Sequence, residues 1–91
     1  QINKLIELYP DSAVAYAARA GMELERKMYD VAEFDYSKAI ELDSSNVDYR
    51  LGRANVRIIL KRKDDARKDL DALVIKGIPR ANLMEFYQKC K

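Results

Sequence analysis

The chain contains no histidine, no tryptophan and a single cysteine, Cys90. Histidine is the commonest general base and metal ligand near neutral pH, so its absence removes the usual centre of hydrolytic and metal chemistry. One thiol excludes an internal disulfide, and Cys90 reads as a spare cysteine rather than a nucleophile. The three glycines are scattered, which leaves no phosphate-cradling loop and no nucleophile elbow. No apolar run approaches the ~18–20 residues of a membrane-crossing helix. No signal-peptide pattern is visible either. With 17 basic and 15 acidic residues the net charge is +2, too small for a global field that would gather nucleic acid or an anionic membrane. These absences predict a chain without catalysis, cofactor or metal, and they indicate no compartment.

What is present is a helix-rich composition, 48% apolar and 35% charged, in 91 residues that make one small domain. The sequence opens on Gln1 rather than Met and reads as part of a longer protein. Ile2, Leu5, Ile6 and Tyr9 recur at helical spacing and form the face of a first helix, stopped by Pro10. Asp11 and Ser12 can cap a second helix that runs to about Arg26. Asp30, with Glu33 three residues on, predicts a capping box for a third helix whose buried stripe is Ala32, Tyr36, Ala39 and Ile40. Ser45 with Asp48 offers a cap for a fourth, about Val47–Lys61. Asp64 starts a fifth, with Ala66, Leu70, Leu73 and Val74 on one face. The Asp64-Asp65 pair reads as helix-start charge rather than a catalytic dyad. Gly77 suits a left-handed helix end, Pro79 prevents resumption, and a last helix covers about Ala81–Cys90. No segment alternates with period two. The reading is all-α, about six helices.

The stretch Ala13–Asn46, two such helices joined by a short turn, is the template for the rest. Sliding the chain by 34 residues superposes Lys4, Ile6, Glu7 and Leu8 on Lys38, Ile40, Glu41 and Leu42. Arg19, Ala20, Lys27, Asp30, Ala32 and Asp35 fall on Arg53, Ala54, Lys61, Asp64, Ala66 and Asp69. A 34-residue period with two helices per unit is that of the tetratricopeptide repeat (TPR). The chain resembles that family in Tyr16 and Ala20 of the first helix, Tyr29-Asp30 at the turn, and the small–aromatic–small series Ala32, Tyr36 and Ala39 in the second helix. Ala54, Ala66, Leu70 and Leu73 repeat the pattern more loosely, and Pro10 holds the closing proline that Ser44 lacks. The resemblance implies antiparallel hairpins stacked as a right-handed α-solenoid in one domain, 1–91. Residues 1–10 would be the second helix of a truncated repeat, 11–44 and 45–78 two full repeats, and 79–91 a trailing, capping helix.

The departures from the family pattern carry their own expectation. Arg19 and Arg53 stand where it has a buried leucine, Glu23 and Arg57 where it has tyrosine, and Arg50 where it has the opening aromatic, although Tyr49 is adjacent. Antiparallel helices would bring Arg19 to Asp35 and Arg53 to Asp69, a repeated ion pair.

In this family the first helix of each unit lines a concave face that holds a partner's peptide or helix. Carried over, the groove positions are Val14, Ala17, Gly21, Leu24 and Glu25, then Asp48, Leu51, Asn55, Ile58 and Ile59, then Asn82, Glu85 and Lys89. Leu51, Ile58 and Ile59 are equally readable as core. One subtype grips a terminal carboxylate with lysines and asparagines. Asn55 matches that use, but Ala17, Gly21 and Gly52 stand where it needs polar or cationic groups. Separately, Arg50, Arg53, Arg57 and Lys61 form a basic stripe, readable as an acidic-partner or nucleic-acid surface or as a solvated face paired with nearby aspartates. It has no interleaved aromatics for base stacking. The leading expectation is a protein-interaction scaffold. The alternatives are self-association through the solenoid ends and the basic stripe.

Overall fold

The computed structural model describes residues 2–91, with side chains from Asn3 onward. The Gln1 end of the first segment and the Ile2 contribution to its stripe therefore lie outside the described residues. Among the described residues six α-helices follow one another: α1 Ile2–Leu8, α2 Ala13–Glu25, α3 Tyr29–Leu42, α4 Val47–Ile59, α5 Lys63–Ile75 and α6 Met84–Lys89. A 3₁₀ turn, Arg80–Leu83, leads into α6, so the last expected helix is half as regular as its apolar pattern suggested. No strand occurs among the described residues, and none of their helices is long and apolar enough to cross a membrane.

Helices adjacent in sequence pack on one another, α1 to α2, α2 to α3, α3 to α4, α4 to α5 and α5 to α6. The molecule is accordingly elongated, 39 × 27 × 16 Å. Alanine sets how closely the helices approach. Ala15, Ala20, Ala32, Ala39, Ala54 and Ala66 are wholly buried, and Ala20/Ala54 and Ala32/Ala66 occupy repeating places. The larger apolar side chains gather at the far end, where Leu70 and Leu73 pack with Leu83, Tyr87 and Cys90. Gly52 admits an aromatic neighbour: a Cβ there would lie 2.6 Å from Tyr36 Cζ.

Ser12 caps α2, its Oγ accepting from the Ala15 N–H at 3.2 Å. The other caps differ from expectation. Asn46, not Ser45, caps α4 by accepting from Tyr49 N–H at 3.3 Å, while Ser45 Oγ donates to Asp43. Helix α3 begins at Tyr29 with Met28 as its uncapped flank. Asp30 therefore sits inside the first turn, and the capping box with Glu33 does not form. Glu33 is drawn away by Arg57 and Arg62. Helix α5 likewise starts one residue before Asp64, without a side-chain cap.

Three helices end alike. Lys27 N–H donates to Leu24 C=O and Met28 N–H to Glu23 C=O, Lys61 to Ile58 and Arg62 to Arg57, Gly77 to Val74 and Ile78 to Leu73. This paired pattern closes a helix through one left-handed residue. Gly77, at φ 110°, fits that place as expected, but Lys27 and Lys61 hold it at φ 61° and 65°. Helix α4 thus stops at Ile59, short of the expected Lys61.

Candidate functional site

An arginine network fixes the helices that would present a site. Arg19 Nε and Nη2 each lie 2.8 Å from an oxygen of Asp35, and Arg19 Nη1 reaches Asn3 Oδ1 at 3.1 Å. Arg53 repeats this with Asp69, at 3.0 and 2.6 Å, and donates to Ser37 Oγ at 3.0 Å. Both expected ion pairs are therefore formed. Each arginine also ties its hairpin to the preceding helix, a link that identity matching does not reveal, because Asn3 and Ser37 share only polarity and place. Tyr87 continues the series, its O–H donating to Asp71 Oδ1 at 2.6 Å. Burial first, and then the Asp71 bond, push the Tyr87 phenol up to about 12.

The second hairpin carries an extra cation. Arg57 donates to Glu33 and to Asp69, both at 2.8 Å, and Arg62 also reaches Glu33. Burial alone would raise the Glu33 carboxyl, but the two guanidiniums outweigh it and hold it below the usual carboxylate range. Burial likewise works against ionised Asp35, and Arg19 leads in holding its pKa low. The basic stripe is thus divided in its surroundings. Arg53 and Arg57 are spent on internal pairs, Lys61 lies exposed in the turn beyond α4, and Arg50 Nε is buried without a partner among the described residues.

The mapped groove positions divide by helix geometry. Spacings of seven and four place Val14, Gly21 and Glu25 on one stripe of α2, and Asp48, Asn55 and Ile59 on the matching stripe of α4. Val14, Glu25, Asp48 and Ile59 are exposed, and Gly21 and Asn55 half-buried. Val14 is 68% accessible and Ile59 39%, which is more than a core role would leave. Leu51 and Ile58 instead pack, half-buried, against the cluster of Ala54, Leu70, Leu73 and Leu83. Ala17 packs on Ala39, Ile40 and Tyr49, and Leu24 is half-buried. At the far end Asn82, Glu85 and Lys89 are all exposed, with Asn82 in the 3₁₀ turn and the other two on α6.

No group of three or more His, Cys, Asp or Glu residues among those described is arranged to hold a metal ion. Cys90 is buried, and that burial raises its thiol pKa.

Among solved structures the chain is similar to the TPR2B domain of yeast Sti1 in its complex with pHsp70. The TM-score is 0.85 and the identity 26%, over 98% of this chain and 76% of that one. No family model matches the sequence, and no curated protein matches it. The 34-residue period, the alanine-lined hairpins and this structural likeness agree: the chain is an all-α helical repeat with the tetratricopeptide fold.

Proposed function

We propose that the chain is a non-catalytic interaction module whose first-helix stripes on α2 and α4 hold a peptide segment or amphipathic helix of a partner protein. The observation that carries this is the contrast on α4. Its Ala54 and Arg53 faces are committed to packing and ion pairing, whereas Asp48, Asn55 and Ile59 are left to solvent or half-covered. Exposed apolar side chains beside small residues and one half-buried amide make a surface that can bury a partner's apolar side chain and bond its backbone. The neighbour in Sti1 was solved with pHsp70, which supports a protein ligand. Glu25 and Asp48 are the charged members of these stripes, and Glu85 offsets Lys89 on α6, so a neutral or basic segment suits them better than an acidic one. Ala17, Gly21 and Gly52 supply no cation, which disfavours a grip on a terminal carboxylate.

The experiment is capture of partners from a cell extract by the intact chain and by the Asn55→Ala/Ile59→Glu variant. Loss of the captured proteins from a folded variant supports the reading, and identical recovery contradicts it.

A second reading rests on α1 and the residue that follows it, where Leu5, Leu8 and Tyr9 are 41%, 65% and 60% accessible. An apolar face of this kind can associate with a second copy. Mass that rises with concentration in light scattering, and falls with Leu8→Glu, would support it.

A further inference from the structure

Glu23 is nine-tenths buried in α2, and its Oε1 has no hydrogen-bond partner among the described residues. Its Oε2 lies 3.8 Å from Arg19 Nε. That guanidinium is already committed to both oxygens of Asp35 and to Asn3. Asp35 is itself fully buried on α3 and receives the same guanidinium at 2.8 Å. Two buried carboxylates therefore share one guanidinium. The second hairpin has the opposite balance: Arg57 stands 34 residues on from Glu23, and Asp69 receives two guanidiniums.

The charged groups acting on Glu23 are Arg19 from its own helix and Asp35 from α3. From α1 the neutral Asn3 touches the cluster through Arg19, while Lys4 and Glu7 are exposed.

We propose that Glu23, Arg19 and Asp35 form a proton-operated latch between α2 and α3. With a proton on Glu23, its carboxyl O–H donates to the Asp35 carboxylate while Arg19 keeps its fork on the same group, and every member is satisfied. Without the proton, an unpaired buried carboxylate presses on Asp35 and loosens α2 from α3.

Burial first, and Asp35 second, push the Glu23 carboxyl up to about 7. The folded chain then binds this proton more tightly than the unfolded one. The stabilisation is complete below the ordinary glutamate range and is lost as pH rises through about 7. No imidazole titrates in the same window, because the chain has no histidine. The latch firms the first hairpin in mild acid and loosens it above neutrality, together with the α2 stripe that carries Val14 and Gly21.

Thermal unfolding of the chain and of Glu23→Gln across about pH 4.5 to 8 tests this. The amide is isosteric, stays neutral and can donate to Asp35 at every pH. The melting temperature of the parent chain is expected to fall from the ordinary glutamate range, about pH 4.5, up to about 7 and to level off above it. That of the variant is expected to stay level and to exceed the parent's at the alkaline end. Equal slopes in the two proteins would overturn the latch. The ¹³C titration of the Glu23 carboxyl in the parent chain reads the same group without any substitution. A midpoint near 7 supports the latch, and one in the ordinary carboxylate range overturns it.

Discussion

Arg53 grips both oxygens of Asp69 and, with its third nitrogen, Ser37, so that one guanidinium joins α3, α4 and α5. The Asp69 side chain is 3% exposed and that of Arg53 15%. Arg57 also leans on Asp69. Asp69→Ala strands Arg53 and leaves Arg57 with Glu33 alone. A loss of about 3 kcal/mol is expected, at the low end for breaking a buried pair because both guanidiniums keep some solvent. Urea unfolding reads it. Replacing Arg53 and Asp69 together by leucine should recover most of the loss, because an apolar pair of similar volume avoids the desolvation cost.

Tyr87 stands 34 residues after Arg53 and takes over the link to the preceding helix through Asp71. Tyr87→Phe keeps the ring in the core with Leu70 and Leu83 and removes only the hydrogen bond. A loss of about 1.5–2 kcal/mol is expected, as for a bond to a charged acceptor. A change below a few tenths in urea unfolding would show that the third link is idle.

These links were only half legible in the sequence. The recurrence of Arg19/Asp35 as Arg53/Asp69 is visible by identity and correctly predicted both pairs. The partners Asn3, Ser37 and Asp71 are three residue types at one place, and Tyr87 replaces the arginine in the last unit. A search for any polar residue recurring at the period, with a donor 16 residues later, would have found them. The capping box failed for a tertiary reason: Glu33 fits the motif, but two guanidiniums from α4 and the turn before α5 outbid a backbone N–H. Of the three apolar candidates on α4, Leu51 and Ile58 turn to the α5–α6 core and Ile59 does not, a distinction that family positions alone could not make.

Lys27 and Lys61 occupy left-handed helix ends where Gly77 shows what the backbone prefers. Lys27→Gly and Lys61→Gly should each stabilise the chain by about 0.5–1 kcal/mol, since relief of the Cβ penalty exceeds the added unfolded-chain entropy. Differential scanning calorimetry reads the increments, which should add because the two sites are separate.

Gly21 and Gly52 both lie inside helices but differ in what surrounds them. A Cβ at Gly21 meets nothing within 4 Å, whereas one at Gly52 overlaps Tyr36. Gly21→Ala should gain about 0.8–1 kcal/mol of helix propensity. Gly52→Ala should forfeit that gain and destabilise by a further ~1 kcal/mol, because the half-buried Tyr36 ring must move. Parallel thermal melts compare the two.

The claim that α2 and α4 present the partner-binding face is tested most directly with peptides selected on the immobilised chain from a random display library. Affinities of a selected peptide are then measured for Val14→Glu, Ile59→Glu and Phe34→Glu, the last placing a charge at a 65% accessible aromatic on the second helix of the first hairpin. The expected result is a loss of tenfold or more, about 1.4 kcal/mol, for Val14→Glu and Ile59→Glu with Phe34→Glu unchanged. Binding that survives the first two substitutions and fails with the third would contradict the account and place the partner on the opposite side of the molecule.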